Sequence, residues 1–323
     1  MLKRRPRPSL LRLFYAGDVH GSRLCWRKFV NAAAHYPADV LVMGGDLTGK
    51  ALVPIVREEG GSYSARVIGE SRTARGERGC DELRRAINAN GMYPVVVDVE
   101  QARRLEVDAG HRESLFRAAM LDELRFWIEF ADERLCEAGR QAFVIPGNDD
   151  PWEIDDVLAS GRCVVPCDEQ VRKVGPHELL SFGFSNKTPW NTPRELDEDE
   201  IYARLRRLAN GLESPDRAIF NIHVPPYDSS LDTAYEVDEE LRYVTKGGRP
   251  HEISTGSEAV RQIIEEVQPL LSLHGHIHES KGVTRIGRTV AINPGSDYGS
   301  GRLEGCLVYL EPNRVVNQYL VSG

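Results

Sequence analysis

The sequence predicts an α/β layered domain, and three observations carry that expectation. Short apolar runs of β-forming residues recur along the chain. Stretches with helical spacing separate them. Many of the runs end in a turn of Gly, Asn, Asp or His. Strand-then-helix alternation of this kind belongs to sheets covered by helices.

Taken in order, "LLRLFYA" (10–16) leads into Gly17, Asp18, Val19 and His20. Trp26, Phe29, Val30 and Ala33 then repeat at helical spacing, and "DVLVM" (39–43) leads into Gly44, Gly45 and Asp46. Residues 50–110 break the rhythm. There "ALVPIV" and "SYSARVI" flank the polar turn "REEGG", a hairpin signal, followed by a short helix in "CDELRRAINANG" and one more strand in "YPVVVDV". This stretch reads as a small subdomain inserted into a single domain spanning 1–323. Leu121, Leu124, Ile128, Ala131 and Leu135 mark a helix that should stop at Gly139. "AFVI" (142–145) leads into Pro146, Gly147, Asn148, Asp149 and Asp150, and 196–209 carries Ile201, Leu205 and Leu208 at helical spacing. "AIFNI" (218–222) leads into His223. Ser257 can cap a helix with Val260, Ile263, Ile264 and Val267 that ends before Pro269. "LLSL" (270–273) runs into the cluster His274, His276 and His278, and "TVAI" (289–292) into Asn293, Pro294, Gly295 and Ser296. These runs are too short for typical helices, so strands are the better assignment.

The bulk numbers exclude several classes. The chain has 323 residues, 41% hydrophobic and 28% charged, an ordinary soluble balance. A net charge of −8 gives no support to a surface that coats nucleic acid. No apolar run is long enough to span a membrane. The opening "MLKRRPRPSLLRLFYAGDVH" has a leader-like basic-then-apolar order, but Arg12 interrupts it, and cleavage near Gly17 would remove residues argued below to be ligands. The six cysteines are scattered and read as reduced thiols of a cytoplasmic protein.

Asp18, His20, Asp46, Asn148, His223, His276 and His278 all lie just past the end of a predicted strand. In an open α/β sheet those ends share one crevice. Gathered there, the carboxylates would repel and the polar groups would lose hydration unless a multivalent cation compensated. The pairs Asp18/His20 and His276/His278 are spaced i, i+2, which puts each pair on one side of an extended segment. The count fits two cations, with Asp46 as the natural bridge. Carboxylate, imidazole and one amide oxygen suit Mn²⁺, Fe or Zn²⁺.

These residues resemble the motifs of the calcineurin-like metallophosphoesterase superfamily. The motifs read here, in order, "GDVH" (17–20), "GGD" (44–46), "GNDD" (147–150), "NIHVPP" (221–226) and "GHIH" (275–278). The resemblance implies two packed mixed β-sheets flanked by helices. It assigns Asp18, His20, Asp46 and His278 to one divalent ion, and Asp46, Asn148, His223 and His276 to the other. It implies a phosphodiester or phosphomonoester hydrolase in which a hydroxide between the two ions attacks phosphorus.

One position departs from the pattern. Where the family has a His that protonates the leaving group, this chain has Asp149, and an ordinary aspartate, with a pKa of about 3.9, is ionised at neutral pH. Asn293 and Ser296 are candidates for an anion-binding nest, Arg194 and Trp190 for substrate contact, and Asp150 for orienting a ligand. His274 fits a core role. The expected substrate is a small-molecule phosphoester. A nuclease would need a basic groove, and the arginines of 50–110 are nearly cancelled by acids there. A non-catalytic scaffold that keeps the site as a relic has only the missing His in its favour.

Overall fold

The computed structural model describes residues 10–238 and 240–323. The opening of the leader-like stretch, residues 1–9, lies outside the described residues. The chain begins with β1 (Leu11–Ala16), α1 (Arg23–His35) and β2 (Val40–Met43). The stretch that breaks the rhythm forms β3 (Ala51–Arg57), β4 (Ser62–Val67), β5 (Glu70–Arg75), α2 (Gly76–Ala89), β6 (Met92–Val97) and α3 (Val99–Val107). Then come α4 (Ala109–Glu137), β7 (Ala142–Val144), α5 (Ile154–Leu158), β8 (Val164–Pro166), β9 (Gln170–Val174) and β10 (His177–Phe182). A small pair, β11 (Ser185–Asn186) and β12 (Glu195–Leu196), precedes α6 (Glu198–Asn210) and β13 (Ile219–Ile222). A ribbon follows, made of β14 (Thr233–Tyr235), β15 (Thr245–Lys246), β16 (Arg249–Pro250) and β17 (Glu252–Ser254). The chain closes with α7 (Glu258–Val267), β18 (Leu271–Leu273), β19 (Gly282–Ile286), β20 (Thr289–Asn293), β21 (Glu304–Glu311) and β22 (Arg314–Ser322).

Two six-stranded mixed sheets form the body, ordered β22-β21-β1-β2-β7-β8 and β19-β20-β18-β13-β10-β9. In the first, β1, β2, β7 and β8 are parallel. In the second, β10, β13, β18 and β20 are parallel. Side-chain alternation explains the layering. Leu13 and Tyr15 of β1 point between the sheets, into a cluster with Ile219, Leu271, Leu273 and Ile292. Phe14 and Ala16 point the other way, onto Trp26, Phe29 and Trp127 of α1 and α4. On the far side of the second sheet, Phe220 and Ile222 pack on Leu205 of α6 and Val260 and Ile263 of α7. The result is the predicted two-sheet sandwich flanked by helices.

A third sheet, β5-β4-β3-β6, stands apart with its own apolar cluster of Val53, Ile55, Tyr63, Val67, Leu83 and Ile87. Its last strand touches the loop after Asp46, where the Tyr93 hydroxyl accepts from Gly49 N at 2.7 Å. Among the described residues no helix is long and apolar enough to cross a membrane.

The reading of six free thiols is corrected at one pair. Cys136, at the end of α4, is disulfide-bonded to Cys163, just before β8. The two are 27 residues apart in sequence, and only the fold joins them. Asp132 of α4 accepts from the amides of Arg162 and Cys163 at 2.9 and 2.8 Å, which draws that segment onto the helix. Cys25, Cys80, Cys167 and Cys306 are free and buried.

Candidate metal centre

The parallel strands of both sheets end at one rim, and the seven expected ligands meet there. Asp18 and His20 follow β1, Asp46 follows β2, and Asn148 follows β7. His223 follows β13, and His276 and His278 follow β18. Their ligand atoms fall into two groups, Asp18 with His20 and His278, and Asp46 with His223 and His276, each within 4.8 Å. Asp46 lies between them: Oδ2 is 3.4 Å from His20 Nε2, and Oδ1 is 3.5 Å from His223 Nε2. In the first group the Nε2 atoms of His20 and His278 are 3.1 Å apart, and His278 Nε2 is 3.7 Å from Asp18 Oδ1.

The structure gathers these residues, but not for the reason the spacing argument gave. Asp18, His20, Asp46 and His276 all have positive φ, at 53°, 37°, 52° and 66°. They sit in tight left-handed turns, so strand alternation does not align Asp18 with His20, and His276 and His278 diverge into different groups. Non-glycine residues in this region are held only where their surroundings fix them. The motif glycines have a simple cause. A Cβ on Gly147 would lie 2.1 Å from Asp46 Oδ1, and one on Gly275 2.3 Å from Asp18 Oδ2.

The donor set fits divalent cations. His223 Nδ1 donates to Gly44 O at 2.7 Å, a bond that leaves a lone pair on Nε2. That lone pair faces Asn148 Oδ1 at 2.9 Å and Asp46 Oδ1 at 3.5 Å. The amide of Asn148 cannot turn round, because its Nδ2 donates to Thr192 Oγ1 at 2.8 Å. Thr192 in turn donates to Glu195 at 2.6 Å. With Nε2 unprotonated these are three converging acceptors, of which Asp46 Oδ1 also accepts from Asp149 N at 3.1 Å. His20 Nδ1 is likewise buried without a hydrogen-bond partner.

Without a cation, a proton takes its place on His223 Nε2. Burial opposes a charged imidazole at His223, but the Asp46 carboxylate outweighs it and raises its pKa to about 9. Burial, reinforced by His223, lowers His276 to about 4. Burial alone would raise Asp46, yet His223 and His20 hold it well below the ordinary carboxylate range. Asp150 is buried, and burial together with Asp46 raises its pKa to about 6. It accepts from Leu47 N, Thr48 N, Thr48 Oγ1 and Gly147 N at 2.9, 2.8, 2.7 and 2.8 Å, tying the loop after β2 to the loop after β7.

The remaining candidates separate. Asp149 lines the cavity and is ion-paired with Lys50. Trp190 lines it and is exposed. Arg194 does not reach it: the guanidinium is buried and hydrogen-bonded to Asp150 O, Pro151 O and Asp155. Asn293 is also buried and gives its amide to Leu231 O and Ile277 O, so it shapes the histidine loop instead of meeting substrate. Nor do Asn293 to Ser296 form an open nest. Gly295 N donates to Asn293 Oδ1, Ser296 N to His278 O, and Ser296 Oγ to Asp18 O. His274 has the expected core role, bonded to Ile222 O and Ser272 Oγ.

Sequence reasoning missed Lys50 and Tyr298. Lys50 ends "GGDLTGK", a cation one loop beyond a predicted ligand, and that was its available signal. Tyr298 lies 4.7 Å from the His20 ring, centroid to centroid, and nothing in "SDYGS" marks it.

Comparison with known proteins gives the relationship. No family model matches the chain. Over 167 residues the chain is 34% identical to "Uncharacterized protein MJ1162" of Methanocaldococcus jannaschii, a match covering 50% of this chain and 68% of that protein. A crystal structure aligns over 97% of this chain and 99% of its own, at 16% identity and a TM-score of 0.57. TT1561 of Thermus thermophilus aligns over 98% of this chain and 99% of its own, at 15% identity and a TM-score of 0.52. The chain belongs to one family with MJ1162. The stretches that resemble metallophosphoesterase motifs lie in order at the shared rim of the two sheets, with Asp149 at the departed position.

Proposed function

We propose that this chain is a dinuclear metal-dependent phosphoesterase acting on a small phosphodiester or phosphomonoester. The observation that carries the reading is the convergence of His223 Nε2, Asn148 Oδ1 and Asp46 Oδ1, with Asp46 reaching across to His20. Asp18, His20, Asp46 and His278 would hold one ion, and Asp46, Asn148, His223 and His276 the other. Mn²⁺, Fe and Zn²⁺ all suit this donor set. Such ions, when bound, polarise phosphoryl oxygens and make water a nucleophile at neutral pH.

The chain's own groups orient and hold. Gly44 O fixes the His223 tautomer, and Thr192 fixes the amide of Asn148. The Lys50 ammonium stands at the mouth of the site, half-restrained by Asp149, where it can meet a phosphoryl oxygen or a developing alkoxide. Asp149, ion-paired with Lys50, stands where the family's acid His would be, so esters with good leaving groups should turn over best.

The test is metal analysis of the purified protein, then hydrolysis of bis(p-nitrophenyl) phosphate and p-nitrophenyl phosphate with Mn²⁺ supplied. Two metal equivalents and metal-dependent turnover are expected. Metal uptake without hydrolysis of any ester would favour the scaffold reading, and no uptake would end the proposal.

A further inference from the structure

The cavity that opens from the candidate metal centre has a lining of two kinds. Its volume is about 440 Å³, in the range of small-molecule sites. Its lining combines His20, Asp46, Asn148, Lys50 and Lys187 with the apolar Pro189, Trp190, Tyr235, Val237, Ile253 and Ile277.

Resting on the phosphoesterase reading, we infer that the ester group of the substrate is a flat aromatic ring, of phenyl or nucleobase size, stacked on Trp190. Trp190 is 59% exposed, unusually open for an indole. The loop that carries it is nonetheless braced. The amides of Thr188 and Thr192 donate to Glu195 at 3.1 and 2.9 Å, and their hydroxyls donate to the same carboxylate. Trp190 N donates to Thr188 Oγ1 at 3.2 Å. An exposed aromatic on a stiff loop is pre-organised for binding, because little ordering is left to do when a ligand arrives.

The facing arm is the β14–β17 ribbon, which supplies Tyr235 and Ile253. Asn186 joins the two arms by donating to Thr255 O at 3.3 Å and Gly256 O at 3.4 Å. Trp190, Tyr235 and Ile253 thus line the same cavity as His20, Asp46 and Asn148. Its lining sets Lys50 and Lys187 against Asp46, Asp149 and Glu279, so it carries no excess of positive charge. That balance suits one phosphoryl group with a ring attached and offers no track for a polynucleotide backbone.

The experiment is calorimetric titration with uncleavable phosphonates, namely phenyl-, hexyl- and methylphosphonate and an adenine-bearing phosphonate, with and without Mn²⁺. At least one of the two ring-bearing probes should bind about 10-fold more tightly than methylphosphonate, the scale of base–aromatic stacking. Which of them gains more distinguishes a phenyl from a nucleobase source. Hexylphosphonate should gain less. W190A should collapse the ring-to-methyl ratio towards one, and W190F should keep most of it. A W190A ratio equal to that of the unaltered chain would overturn the inference, as would equal gains for hexyl and phenyl. Because the ratio is also read without metal, failure to take up Mn²⁺ sinks the phosphoesterase reading separately.

Discussion

Replacing Asp150 distinguishes a buried charge from a buried set of acceptors. Its carboxylate receives Leu47 N, Thr48 N, Thr48 Oγ1 and Gly147 N, all at 2.9 Å or less. D150A leaves three backbone N–H groups buried and unpaired, while the Thr48 hydroxyl can rotate. An orphaned buried donor costs about 2 kcal/mol, so the gross loss is about 6 kcal/mol. Part of it returns, because the charge is disfavoured by burial and by Asp46, which raise its pKa to about 6. Against an ordinary value of about 3.9, and at 1.36 kcal/mol per pH unit, relief of that charge returns about 3 kcal/mol. The net expectation for D150A is about 3 kcal/mol of lost stability. D150N keeps one oxygen for Leu47 and Gly147, its amide can donate to the Thr48 hydroxyl, and only Thr48 N is orphaned. With the same charge relief it should lie within about 1 kcal/mol of the unaltered chain. Urea unfolding of the metal-free protein near pH 7.5 measures both. D150A losing less than about 1 kcal/mol, or D150N losing as much as D150A, would refute the reasoning.

Other expectations follow from the same geometry. G147A pushes a methyl into Asp46 Oδ1 and should lower the metal content per chain, measured by elemental analysis beside circular dichroism to confirm folding; two retained equivalents would contradict it. Metal at 100 times its Kd should stabilise the protein by about 2.7 kcal/mol over an EDTA-treated sample, and His223→Ala should shrink that gap in thermal melts. Lys50→Ala should raise KM for p-nitrophenyl phosphate, a dianion, more than for its bis-ester, a monoanion; equal effects would remove Lys50 from the phosphoryl site. D149H should speed esters with poor leaving groups more than those with good ones, so a flat response across a leaving-group series would count against the acid argument.

Much of this was legible because strands and ligands announce themselves together. The runs 10–16, 39–43, 142–145, 218–222, 270–273 and 289–292 are β1, β2, β7, β13, β18 and β20, each short, apolar and ended by a polar turn. Ser257 caps α7 as its position implies. Strand β5, "ESRTAR", has no apolar alternation to betray it and exists by pairing with β4. The β21–β22 hairpin goes unforeseen although apolar runs flank its turn. Within the site, donor chemistry and chain order pick out the residues that the rim gathers, whereas the substrate-facing guesses divide on burial. Arg194 and Asn293 are spent on internal carbonyls. Polar residues past a strand end look alike in sequence whether they face a cavity or brace a loop. The Cys136–Cys163 bond is invisible for a related reason: only the packing of α4 against the segment before β8 makes neighbours of the two sulfurs.

The left-handed backbone at Asp18, His20, Asp46 and His276 has an effect beyond placing ligands. Each such residue stores roughly 1–3 kcal/mol that relaxation would release. The emptied rim should therefore be where the fold opens first, and captured ions would act as latches on four cocked turns. Amide hydrogen exchange at those positions should slow sharply on loading, while the sheet interiors keep their own pace.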